Sequence, residues 1–151
     1  MAGLGRHAEA LPAFDSAIAY WQATAASPPN ARAGDNARRA AAWLQAERAA
    51  SLSALGRAAD AQAQAALAVD SLSTMASAPG HAREVDLNAA EALVLLAELR
   101  PAARAVLRAK ALQLLVAANA DLPLAGLNAA RLTALRQDAA SPSLPAERRR
   151  P

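Results

Sequence analysis

The chain has 151 residues, a formal net charge of +3 and no cysteine, which excludes disulfides, thiolate metal sites and cysteine nucleophiles. Apolar residues make up 54% of the chain but aromatic residues only 3%, because about one residue in three is alanine. Alanine has the highest helix propensity of the natural residues. The composition therefore predicts an all-α protein whose helices pack closely over small side chains.

Charge and hydropathy also restrict the expected partners. A net charge of +3 is too small to indicate a polyanionic partner unless the basic residues cluster. No apolar run approaches the ~18 residues that a membrane span needs, and no signal-peptide pattern follows Met1. We therefore expect a cytoplasmic protein without a membrane partner. The excess of arginine, with Lys110 as the one lysine, is typical of a GC-rich bacterial genome.

Proline, glycine and asparagine divide the chain into six predicted helices. The helices are expected at about residues 7–25, 36–55, 58–77, 82–99, 101–119 and 124–139. Pro12 should delay the start of the first helix or kink it. Gly34 is expected in a turn, with Asp35 as the N-cap of the second helix. Pro101 fits the first position of the fifth helix, and the Pro- and Arg-rich residues 141–151 are predicted to be a disordered tail.

A short motif recurs along the chain. Leu4-Gly5-Arg6 returns as Leu55-Gly56-Arg57 and, without the glycine, as Leu99-Arg100-Pro101. Each copy precedes three positions spaced by four and then three residues: Ala10, Phe14 and Ala17; Ala61, Ala65 and Ala68; Ala105, Ala109 and Leu112. Two antiparallel helices joined by a short turn approach closely only where the facing residues are small, and glycine permits the turn.

This pattern resembles the turn and second helix of a tetratricopeptide repeat (TPR), over about residues 4–119. The copies start 51 and 44 residues apart, longer than the ~34 residues of that family, so helices or loops must be extended. The resemblance implies a short right-handed solenoid of antiparallel helix pairs within residues 1–140, with a first repeat truncated at its N-terminus. An unrelated helical bundle is the alternative fold.

The resemblance implies a non-catalytic protein–protein interaction module, a scaffold or adaptor that binds a peptide or partner helix in a groove. It places five residues on the groove side: Trp43, Ala46, Ala50, Leu87 and Val94. A packing role for Trp43 is the simpler interpretation. In bacteria such repeats are often attached to kinases, cyclases or transcription regulators, so a regulatory portion of a signalling protein is the alternative function.

The first predicted helix carries an apolar stripe formed by Leu11, Phe14, Ile18 and Trp21. In a TPR array this helix would pack against a preceding helix that the sequence does not supply. An uncovered stripe is an association surface. We therefore expect either a homodimer through residues 7–25 or a longer natural protein that covers the stripe.

Arg100, Arg104 and Arg108 are four residues apart and would form an anion ridge on one face of the fifth helix. Nucleic-acid binding through this ridge is a further alternative. A solvated helix face is the preferred interpretation, because no aromatic residue for base stacking is near. Neither His7 nor His81 has a potential metal ligand four residues away. No pair of carboxylates is expected in an apolar environment that would raise a pKa for acid–base catalysis. No catalytic residue, metal or cofactor is therefore expected.

Overall fold

Six α-helices follow one another along residues 2–141, the part of the chain that the computed structural model describes, with side chains described from Gly5 onward. They are α1 (Ala2–Ala26), α2 (Ala31–Ala54), α3 (Ala58–Ala76), α4 (Arg83–Leu99), α5 (Arg104–Asp121) and α6 (Gly126–Ala140). A 3₁₀ turn, Pro101–Ala103, precedes α5. The described residues contain no strand, and the all-α prediction is confirmed. The predicted tail, from residue 142 on, lies outside the described residues.

Each helix packs against the next one along the chain, and α2 also contacts α4 directly. The main core cluster is built from α2 to α6 and consists largely of alanine and leucine. Leu52, Leu72 and Leu115 are the largest side chains that are fully buried among the described residues. Because most other buried positions are alanine, the helices approach closely, and a few leucines supply most of the bulk in the core.

The predicted turn at Leu55-Gly56-Arg57 is confirmed. Gly56 has a φ of +75°, the left-handed conformation that side chains with a Cβ disfavour. The backbone N–H of Gly56 donates to the carbonyl oxygen of Ser53, and that of Arg57 to the carbonyl oxygen of Leu52, both at 2.9 Å. This pair of bonds is a Schellman motif, which satisfies the last carbonyl groups of α2.

The predicted turn at Leu4-Gly5-Arg6 is wrong, because α1 begins at Ala2 and passes through Gly5. A glycine costs a helix interior only about 1 kcal/mol relative to alanine, which the alanine-rich surroundings tolerate. The helix also continues through Pro12, so of the two expectations at this residue the late start is wrong.

The start of α2 differs from the prediction. Asn30 is the N-cap, and its Oδ1 accepts a hydrogen bond from the backbone N–H of Ala33 at 2.9 Å. Gly34 therefore lies in the first turn of the helix and not in a loop, and Asp35 pairs with Arg38 instead of capping. A Cβ on Gly34 would lie 3.1 Å from Cγ of Pro28, so the close approach of that proline explains the glycine.

The third copy of the motif is also placed wrongly. Ala105 and Ala109 are exposed, whereas Ala111, Leu115 and Ala118 are fully buried with the same four-and-three spacing. In the second copy Ala61, Ala65 and Ala68 are fully buried, whereas in the first copy Ala10, Phe14 and Ala17 are only partly buried. The buried set on α5 begins at Ala111, six residues beyond the predicted Ala105. The 3₁₀ turn after α4 moves the start of α5 from the expected residue 101 to Arg104, which accounts for three of these six residues.

Two arginine side chains form contacts between helices that were not predicted from the sequence. Arg48 interrupts the apolar pattern of α2 because it reaches across to α1, where its Nε donates to Asp15 Oδ1 at 2.8 Å. Arg83 donates from Nε to the carbonyl oxygen of Ala118 and from Nη2 to that of Leu122, at 2.9 and 2.6 Å. A cation bound to the last carbonyl groups of α5 stabilises that helix end.

Candidate interaction surface

The helices α2, α4 and α6 lie side by side. The first two contact each other directly, and α6 is joined to α4 by an ion pair between Arg131 Nη2 and Glu91 Oε1, 3.0 Å apart. We call their shared outer surface the even-helix face. Its polar and aromatic members are Arg39, Trp43 and Glu47 on α2, Asn88 and Glu91 on α4, and Asn128 and Arg131 on α6; the small Ala50 on α2 also belongs to it.

Trp43 is the most prominent side chain of this face, with 39% of its surface exposed. Arg39 and Glu47 lie one helical turn before and after it, and residues four apart occupy the same side of a helix. Ala50, two turns on, is also exposed and small. The indole therefore stands on an open strip of α2 between a cationic and an anionic side chain.

The strip is tied to the neighbouring helices by polar contacts. Arg39 Nη1 donates to Asn88 Oδ1 on α4 at 3.2 Å. On the other side of α4, Arg131 donates from Nη1 to Asn128 Oδ1 at 2.8 Å and from Nη2 to Glu91. These contacts are partly buried. They hold the groups around Trp43 in defined positions, which reduces the ordering cost of binding a partner.

Glu47 has an unfavourable electrostatic environment. Burial raises the pKa of its carboxyl group, and repulsion from Glu91 raises it further, while Arg131 acts in the opposite direction. Arg131 makes its ion pair with Glu91. Two carboxylates thus share one guanidinium, and Glu47 has no cationic partner of its own within the described residues.

A cleft of about 800 Å³ opens at the N-terminal end of α2. It lies between α2, the end of α3, the α3–α4 loop and the first turn of α4. Its charged side chains are Arg32, Arg38, Arg39, Asp35, His81 and Glu84. Because Arg32 and Arg39 lie eleven and four residues before Trp43, on the same side of α2, this arginine cleft is continuous with the even-helix face.

His81 fixes the loop that forms one wall of the arginine cleft. Its Nδ1 lies 2.8 Å from the carbonyl oxygen of Ala78, and its Nε2 lies 2.8 Å from Oδ1 of the buried Asp86. Both partners are acceptors, so both ring nitrogens are best satisfied as donors, which requires the imidazolium form. The hydrogen bond to Ala78 and the carboxylate of Asp86 raise the pKa of His81, while its burial acts against them.

The five residues expected to line a groove occupy three environments. Trp43 and Ala50 are exposed on α2. Ala46 is only 3% exposed and belongs to the core, so it offers no surface to a partner. Leu87 and Val94 are partly buried and pack against the core cluster. The polar residues Arg39, Glu47, Asn88 and Glu91 were not expected in the site, because their relation to Trp43 depends on the contact between α2 and α4.

The apolar stripe of α1 faces α2. Ile18 is buried, and Leu11, Phe14 and Trp21 are partly buried. Since α1 packs mainly on α2, one flank remains open, and self-association through this stripe stays a prediction. Tyr20 is 63% exposed and contacts Trp21 edge-on, with ring centroids 5.1 Å apart.

A second cleft, which the sequence did not indicate, adjoins α1. It has a volume of about 540 Å³ and lies over α2 between α1 and α3. Ala25, Ala41, Ala42 and Met75 contribute its apolar lining.

The expected arginine ridge is not a single helix face. Arg100 ends α4 with non-helical backbone angles, and α5 starts at Arg104. Arg104 is paired with Glu98 at 3.5 Å, and Arg108 with Asp138 at 2.7 Å. Their charges are therefore largely compensated, which weakens the case for a polyanion partner.

Within the described residues, no group of three or more histidine, aspartate or glutamate side chains is placed to hold a metal ion. None of the helices in this part of the chain is both long enough and apolar enough to cross a membrane. Comparisons with known proteins add no further constraint: no protein-family model, curated protein or solved structure matches the chain.

Proposed function

We propose that the protein is a non-catalytic interaction module of TPR-like helix pairs, and that it binds a peptide segment of a partner protein on the even-helix face. The observation that carries this proposal is the position of Trp43. It is 39% exposed on a helix whose buried side chains, apart from Leu52, are small. A rigid aromatic side chain surrounded by fixed polar groups is typical of a binding hot spot.

The surroundings of Trp43 support binding more than packing. Packing alone does not explain why the indole stands between Arg39 and Glu47 on an exposed strip. A tryptophan placed there keeps apolar surface in water, which a partner would remove at about 25 cal/mol per Å². The alternating arrangement, in which α3 packs between α2 and α4, also agrees with a helical repeat.

The proposal is tested by selecting a random peptide library, displayed on phage, against the immobilised full chain. Enriched peptides are then measured on the Trp43→Ala variant and on Tyr20→Ala. Tyr20 is a matched control, because it is an exposed aromatic residue on α1. We expect enriched peptides to lose binding to Trp43→Ala and to keep it with Tyr20→Ala. A lack of enrichment, or peptides that bind both variants equally well, would overturn the proposal.

A further inference from the structure

The charges along the exposed strip of α2 are segregated. Arg32 and Arg39 precede Trp43, and Glu47 follows it. At 1.5 Å per residue, Arg39 and Glu47 are about 12 Å apart along the helix axis, and Arg32 and Glu47 about 22 Å. The surface on which we have placed the partner therefore has a basic end, an aromatic centre and an acidic end.

At the basic end, two cationic side chains lack a carboxylate partner. Arg38 is compensated by Asp35, but Arg32 and Arg39 make no ion pair within the described residues. In the part of the chain that the structure describes, the side chain of Arg39 hydrogen-bonds to the neutral Asn88, at 3.2 Å. The remaining charged groups of the arginine cleft are His81, which is held by Asp86, and Glu84. The cleft thus retains an excess of positive charge and has room for an acidic side chain.

At the acidic end, the balance is reversed. Glu47 and Glu91 share Arg131, which leaves one negative charge without compensation in a partly buried place. A basic side chain placed there would pair with Glu47. It would also lie next to the ring of Trp43, where a cation is attracted to the aromatic face.

We infer that the even-helix face recognises a peptide segment with segregated charges: an acidic side chain in the arginine cleft, an apolar one on Trp43 and a basic one at Glu47. This inference rests on the proposed function and specifies the chemistry of the partner. A separation of 12–22 Å corresponds to about four to seven residues of extended chain. The recognised segment is therefore short.

The test compares two synthetic peptides of identical composition and net charge. One is Glu-Glu-Ala-Leu-Ala-Lys-Lys, in which the charges are segregated, and the other is Glu-Lys-Ala-Leu-Ala-Glu-Lys, in which they are mixed. Affinities for the full chain are measured by fluorescence anisotropy of labelled peptides. We expect the segregated peptide to bind at least about 5-fold more tightly, because it forms charge pairs at both ends at once.

Charge-removing variants identify the two ends. Arg39→Gln and Glu47→Gln should each weaken binding of the segregated peptide by about 2- to 5-fold, the effect of an exposed ion pair. Arg136→Gln and Glu9→Gln, exposed residues on α6 and α1, should leave it unchanged. Circular dichroism verifies that each variant keeps its helix content.

Three results would overturn the inference: equal affinity for both peptides, no binding of the segregated peptide below about 1 mM, or no effect of either variant. Its failure is distinguishable from failure of the proposed function. If library peptides bind in a Trp43-dependent manner but show no charge segregation, the proposed interaction module is supported and the inferred charge pattern of the partner is wrong.

Discussion

Truncation of Leu72 tests the account of the core, in which few large side chains pack among many alanines. Leu72 is fully buried in the main cluster. Leu72→Ala removes three carbon atoms, worth about 2.4 kcal/mol at about 0.8 kcal/mol each, and leaves a cavity that neighbouring alanines fill poorly. We therefore expect the free energy of unfolding to fall by about 3–4 kcal/mol, a large part of the 5–15 kcal/mol typical of a domain.

Leu67 provides the matched control, because it lies on the same helix and is 50% exposed. Leu67→Ala should cost about 1 kcal/mol or less, since half of the side chain is already in water and no closed cavity forms. Both variants are measured by urea unfolding, with circular dichroism as the signal. The slope of the unfolding free energy against urea concentration should be unchanged. Equal losses of unfolding free energy for the two variants would show that the buried Leu72 contributes no more to stability than the exposed Leu67.

Four further variants test local features in the same urea assay. Gly56→Ala should lower the free energy of unfolding by about 1–2 kcal/mol, because Gly56 has a positive φ. Gly5→Ala should raise it by up to about 1 kcal/mol, because Gly5 lies inside α1. A loss of stability in both variants would indicate a turn at Gly5 as well. Because the pKa of Glu47 is raised, the folded state binds more protons than the unfolded state between the usual pKa of 4.5 and the raised one. Stability therefore falls as the pH rises through this range. Glu47→Gln should remove that fall and raise stability at neutral pH; an unchanged pH profile would contradict the assignment. His81 contributes stability that is complete below its usual pKa of 6.5 and is lost as pH rises through its raised value. His81→Gln should abolish this loss, and a loss that persists would assign it to another group.

The helices were predictable because their signals are local. Alanine content and three-and-four spacing identified six segments, and Gly56 marked a real turn because its position requires a positive φ. The same dipeptide at residues 5 and 6 is helical. Glycine permits a turn without imposing one, and no sequence signal separated these two cases.

The errors at Gly34 and on α5 concern where helices begin. Asn30 caps α2 in place of Asp35, and Gly34 is small because Pro28, six residues earlier, packs against it. The start of α5 lies three residues later than expected because a 3₁₀ turn follows α4, and such turns have weak sequence signals.

The candidate site was predictable only at its centre. Trp43 was singled out because the register of the TPR-like pattern places it on the groove side of α2. Its polar surroundings were not, because Asn88, Glu91 and Arg131 join it only through packing between helices that lie about 45 and 90 residues apart in sequence.

The role of Trp43 as the anchor of a bound peptide is tested by the affinity of a selected peptide for Trp43→Ala, measured by calorimetry against the unmodified chain. We expect at least a 10-fold loss of affinity, about 1.4 kcal/mol, because the indole should provide the main apolar contact of the even-helix face. The Tyr20→Ala chain should bind as the unmodified one does. An unchanged affinity for Trp43→Ala, with helix content and stability preserved, would contradict the account and leave Trp43 a packing residue.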